Sequence, residues 1–159
     1  MDKVIYLFGK DFNVYATVEE ADLYFSTMFG NNWAEIGETQ KAQLLITATR
    51  LIDRQDFQGV VVDEEQPLKL PRIIAGKPTD DDLVTEACCE LALQIYQNGN
   101  SNVNVNDVQS VSLGDSKITF KNNVLMENAN DFLIDNYLGN YLIGGVRVIL
   151  WQCVRITQN

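Results

Sequence analysis

A chain of 159 residues, 46% of them hydrophobic, carries enough apolar surface for the core of one domain, or of one domain with an appendage, which argues against wholesale disorder. Its formal net charge of −10, from 22 acidic against 12 basic side chains, repels phosphate and disfavours a general grip on DNA unless the few cations cluster. The absence of histidine excludes Ser-His-Asp and Cys-His catalysis, histidine proton shuttling and the commonest metal ligand.

Cys88, Cys89 and Cys153 form neither a disulfide framework nor a zinc set of usual spacing; they read as small apolar residues in a reducing compartment. Residues 1–8 are too short an apolar run, with too little basic charge, for a signal peptide. No later run is apolar for long enough to span a bilayer, so a soluble protein made in a cytoplasm, with no membrane partner, is expected.

Residues 4–8 are β-branched and aromatic, and fit a strand or an extended arm. Thr17-Val-Glu-Glu20 is a capping box, which predicts a helix over 18–29 with an apolar face of Val18, Ala21, Leu23, Tyr24, Phe25 and Met28. Gly30-Asn-Asn32 stops it, and Trp33 and Ile36 form a short turn that packs back on that face. The rest of the chain is organised around residues 40–57. There Leu44, Leu45, Ala48, Leu51 and Ile52 recur at helical steps, leaving Lys41, Gln43, Thr47, Arg50 and Arg54 for water.

All three prolines fall in residues 59–78, a long non-helical crossing that Leu68, Leu70 and Ile73 would tie to the core. Thr79-Asp-Asp-Asp82 opens a third helix with the stripe Val84, Ala87, Cys88, Leu91, Ile95 and Tyr96. The triple Asp lacks the glycine and distal glutamate of a calcium loop, and acids suit a helix N-terminus without a metal. The polar stretch 98–107 is the best boundary, between a helical body with an N-terminal arm (1–99) and a second region (100–159). Residues 108–113 and 117–120 alternate around Gly114-Asp115 as a hairpin would. Asn130 caps a short helix over 131–138 that ends near Gly139-Asn140. After Gly144-Gly145, residues 146–157 read as a strand with Val146, Val148, Leu150, Val154 and Ile156 on one face. Ile149, Trp151 and Cys153 lie on the other. Such a strand wants cover on both sides, from its own sheet or from another subunit. The expected fold class is mainly α (α+β): a small bundle of three to four helices with a C-terminal β-hairpin and terminal strand.

The ordered set is Tyr15-Ala-Thr-Val-Glu-Glu-Ala-Asp-Leu-Tyr-Phe25, Trp33, the run 41–53, Phe57-Gln-Gly59, Gln66-Pro-Leu-Lys-Leu-Pro-Arg72 and a helix just after Pro78. With the later 111–120 and 132–138 segments, it resembles the small head–tail connector (adaptor, or neck) proteins of tailed bacteriophages, a group whose members are also labelled DnaT-like. That resemblance covers most of the chain. It implies a ring, dodecameric in that family, bound to a portal protein, to a tail or second neck protein and to itself, with duplex DNA passing through its channel without specific binding. It further implies a virion protein synthesised in a host bacterial cytoplasm. Such a role needs no catalytic residue, cofactor or metal, so no enzyme activity is expected. Under this reading Ile149, Leu150, Trp151 and Val154 anchor the portal or subunit interface, and Arg147 and Arg155 meet acidic groups on a neighbour.

The alternative is a single-stranded-DNA-binding module, which needs a basic groove interleaved with aromatics. In the sequence the cations look scattered, and Tyr24 and Phe25 sit at core spacing. An enzyme working with carboxylates alone would use Asp63, Glu64 and Glu65, but consecutive acids on a loop splay apart.

Overall fold

The computed structural model describes residues 2–100 and 133–143. The chain opens with a hairpin of β1 (Lys3–Leu7) and β2 (Lys10–Val14), paired Ile5 to Phe12 and Leu7 to Lys10. Its two-residue loop is Phe8-Gly9, with φ of 53° and 78°. Positive φ at both positions is the signature of a type I′ turn, whose twist matches that of the flanking strands. Alternation puts Ile5, Leu7, Lys10, Phe12 and Val14 on the inner face, and Val4, Tyr6, Asp11 and Asn13 on the outer one. Ile5 and Val14 are buried in the core. The expected strand at 4–8 is therefore half of a hairpin rather than an arm.

Helix α1 (Val18–Ser26) carries both arms of the capping box: the Thr17 hydroxyl accepts from the Glu20 N–H (3.3 Å), and the Glu20 carboxylate accepts from the Thr17 N–H (2.9 Å). It stops earlier than the expected residue 29. The Asn31 amide donates to the carbonyls of Phe25 and Met28, and the Ser26 and Thr27 hydroxyls take those of Leu23 and Tyr24, so side chains close the helix end. Only Ala21 and Phe25 of α1 are buried; Leu23 and Met28, expected on its apolar face, are exposed. Trp33, in a 3₁₀ turn (Trp33–Glu35), closes over Phe25 with ring centroids 4.9 Å apart.

Helix α2 (Glu38–Asp53) is the central element, with Ala42, Leu45, Ile46, Ala48, Thr49 and Ile52 buried. Gln43, Thr47, Arg50 and Arg54 are exposed as expected, but Lys41 is only 6% exposed. Its ammonium is 2.9 Å from the Asp22 carboxylate of α1, which makes its burial tolerable. Helix α3 (Asp81–Asn100) packs along α2 through Val84, Ala87, Cys88, Leu91 and Ala92.

Between α2 and α3, residues 59–78 hold a small antiparallel sheet of β3 (Val60–Val61), β4 (Arg72–Ile74) and β5 (Lys77–Pro78). Gly59 enters it at φ +75°, where a Cβ would run into the Ile73 carbonyl. The crossing is tied down by polar groups as well as by the buried Leu70. Asp53 accepts from the Tyr15 hydroxyl (2.6 Å) and the Lys69 N–H (2.7 Å), and Arg72 donates to the carbonyls of Gln58 and Gly59.

Residues 133–138 form a fourth helix, α4, followed by a 3₁₀ turn (Gly139–Tyr141); Ile134, Leu138 and Leu142 join the same core. The architecture among the described residues is thus α+β, four helices with two small antiparallel sheets, and not a helical bundle with its β structure at the C-terminus. Two features account for this: the Phe8-Gly9 turn folds the N-terminus into a hairpin, and the proline-containing crossing pairs with itself. The hairpin expected at 108–120, the start of the helix expected at 131 and the strand expected at 146–157 lie outside the described residues. So do Arg147, Ile149, Leu150, Trp151, Val154 and Arg155.

Candidate nucleic-acid interface

Among the described residues no three His, Cys, Asp or Glu side chains converge as metal ligands would. The Asp80 carboxylate accepts from the N–H groups of Asp82 and Leu83, which makes it a helix cap. Asp63, Glu64 and Glu65 lie in an exposed turn closed by the Asp63 carboxylate on the Glu65 N–H. Burial pushes the Cys88 thiol up to about 11 and raises Cys89 further, which leaves both unreactive. A cleft of about 70 Å³ lies beside Lys3, Tyr15 and Thr85, and the Lys3 ammonium reaches the Tyr15 carbonyl (3.3 Å) and the Thr85 hydroxyl (2.7 Å) next to it. It is far smaller than a nucleotide pocket.

The chemistry that does collect lies at the far end of the β1–β2 hairpin. Phe8 at the apex is 78% exposed and Tyr6 on the outer face 71%. On the inner face Phe12 packs against the core edge and is met by two cations: the Lys10 ammonium 5.6 Å, and the Arg50 guanidinium 5.9 Å, from the ring centroid. Arg50 comes from α2, and exposed Arg54 follows it one turn later on the same helix face. Among the described residues neither Lys10, Arg50 nor Arg54 lies within ion-pair distance of a carboxylate. Lys3 and Lys41, by contrast, are bonded to Glu20 and Asp22. The arrangement therefore offers cations free to meet phosphate, beside two rings free to meet a base.

The sequence concealed this cluster. Its cations look scattered because Lys10 and Arg50 are far apart in the chain, and only the docking of the hairpin on α2 brings them to one ring. The available signal was the alternation of Lys10-Asp-Phe-Asn-Val14 after a Phe-Gly pair. Phe25 is core, as its spacing indicated, and Tyr24 is turned inward, its hydroxyl donating to Glu90 (2.8 Å).

Residues 8–155 match the sequence model of the family described as "Putative DnaT-like ssDNA binding protein". No curated protein and no solved structure matches the chain. The family matched is not a head–tail connector family, which overturns the connector reading together with its phage virion setting, its portal and tail partners, its ring and its passively transmitted duplex. The reason lies in which residues carried the resemblance. Ala21, Phe25, Trp33, Leu45, Ile52 and Leu70 are buried. Such positions report a packing scheme and leave the partner unspecified.

Proposed function

The chain belongs to the DnaT-like ssDNA binding protein family, and from that premise we propose that it binds single-stranded DNA at the apex and inner edge of the β1–β2 hairpin. The observation that carries this is the pairing of two carboxylate-free cations, Lys10 and Arg50, on Phe12 beside the exposed Tyr6 and Phe8. Phosphates would be met by Lys10, Arg50 and Arg54, and bases by the aromatic faces. With a net charge of −10 the chain as a whole repels the strand, so binding at this patch is weak and steeply dependent on salt. The protein acts by holding the strand, without chemistry on it, in a reducing cytoplasm, a setting supported by its buried thiols Cys88 and Cys89.

The test is fluorescence anisotropy of a labelled single-stranded oligonucleotide over a series of salt concentrations. Replacing both Lys10 and Arg50 by Ala lowers affinity about tenfold at low salt and flattens the log–log salt slope by about 1.4, or roughly 0.7 for each phosphate no longer neutralised. An unchanged slope and affinity in the double variant would place the DNA elsewhere on the molecule.

A further inference from the structure

Phe8 is an unusual residue for its position. Both central residues of a type I′ turn need positive φ, which Asn, Asp and Gly adopt readily and a bulky side chain resists. Gly9 meets that need; Phe8, at φ 53°, does not. Nor does the phenyl ring recover the strain by packing, since 78% of the residue is exposed. A strained backbone carrying a large apolar group into solvent is the pattern of a residue kept for what it contacts.

The shape of the apex narrows the partner. Two strands end there about 5 Å apart, so the tip is one ring wide. A single ring covers one base face. Inside a stacked run of bases both faces are already covered, whereas the last base pair of a duplex has one face open. The two sides of the hairpin also differ. Lys10 and Arg50 line the inner edge, while Asp11 stands opposite Tyr6 on the outer one. One phosphate chain can follow the cationic edge, and the other side repels a second.

Building on the single-strand reading, we infer that Phe8 is a stacking wedge and that the preferred ligand is the junction between duplex and single-stranded DNA. The ring caps the terminal base pair, and the unpaired strand leaves along Lys10 and Arg50. Apolar side chains inserted at base steps are an established means of holding open or kinked DNA.

The experiment compares the full chain and its Phe8→Asn variant on three labelled DNAs: a single strand, a blunt duplex, and a duplex carrying a single-stranded tail of either polarity. The wild-type protein binds the tailed duplex several-fold more tightly than the single strand. In Phe8→Asn affinity falls for both DNAs but by more for the tailed duplex, so that the preference disappears, and the melting temperature rises by roughly 2–4 °C as the turn relaxes. Equal wild-type affinity for tailed duplex and single strand, or a preference that survives in Phe8→Asn, overturns the wedge and leaves single-strand binding standing. A lower melting temperature in Phe8→Asn also overturns it, since the ring would then be holding the hairpin. No wild-type binding to any of the three DNAs removes the single-strand reading itself.

Discussion

Two cation–aromatic clusters of nearly equal geometry sit on opposite sides of α2, and they differ in everything else. The Lys41 ammonium lies 5.7 Å from the Trp33 ring centroid; the charged groups of Lys10 and Arg50 lie 5.6 and 5.9 Å from that of Phe12. Lys41 is buried, bonded to Asp22, and within 3.8 Å of Glu38, while the Trp33 indole N–H donates to the same Asp22 oxygen (2.8 Å). The ammonium and the indole N–H of that cluster are both taken up by the one Asp22 oxygen. At Phe12 the cations face water with no carboxylate partner among the described residues, and the neighbouring rings are bare. A cation on an aromatic ring is thus no functional signal by itself. What separates a buried strut from a binding edge is whether the charge has already been neutralised.

The largest effect expected from that contrast is on stability. Trp33→Ala empties a site where the side chain is 1% exposed, between Phe25 and the Lys41–Asp22 pair, and costs about 4 kcal/mol in urea denaturation. Phe12→Ala, at the half-buried ring, costs roughly half as much and weakens oligonucleotide binding, which Trp33→Ala leaves intact in the folded fraction. Equal costs at the two rings would erase the distinction between them.

The next effect tests the buried charge. Asp22→Ala removes the acceptor of both the Lys41 ammonium and the Trp33 N–H, leaving a buried cation with only the exposed Glu38 nearby. The expected loss is about 2 kcal/mol, below the value for a fully buried pair because Asp22 is itself half-exposed. Lys41→Met keeps the stem, drops the charge and costs less than Asp22→Ala. If Lys41→Met proves the more damaging of the two, the ion pair is a net stabiliser and the buried cluster is more than a tolerated charge.

How far the sequence revealed these two regions follows from the range of the interactions. The capping box at Thr17 and Glu20 spans only three residue steps, so its spacing is enough to find it. The exposed stripe Gln43, Thr47, Arg50 and Arg54 follows from helical period alone. Lys41 lies on the opposite side of the helix, in register with the buried Leu45, Ala48 and Ile52, and only its charge suggested water; what satisfies that charge is a carboxylate on α1 and an indole from the 3₁₀ turn, neither local to α2. The hairpin escapes sequence reasoning for a different reason. Its turn carries Phe where the rules call for Asn or Asp, and a local conflict of that kind is where functional positions concentrate. The crossing at 59–78 reads as a loop because of its prolines. Yet Pro71 precedes β4, and Pro78 sits in the exposed edge strand β5, where a missing N–H costs little.

The smallest effect concerns Lys3, the hairpin cation that does have a partner, bonded at 2.9 Å to Glu20 at the start of α1. Burial alone would raise the Glu20 pKa, but the Lys3 ammonium and the Thr17 N–H and hydroxyl outweigh it and hold the carboxyl below its ordinary value of 4.5. A carboxyl depressed in the folded state adds stability that is present above its unfolded value of 4.5 and is lost as pH falls through the lower folded one. Glu20→Gln keeps an acceptor for the capping box and removes only the charge. Because Glu20 is more than a third exposed, the expected deficit at neutral pH is roughly half a kcal/mol. It shrinks to nothing as pH falls past the folded value, where wild-type Glu20 is itself neutral. Urea midpoints of the two proteins that converge on acidification identify the Lys3–Glu20 charge pair as the clasp between hairpin and α1. A gap that stays constant over that descent would assign the clasp to the capping hydrogen bonds, with Lys3 held instead by the Tyr15 carbonyl and the Thr85 hydroxyl.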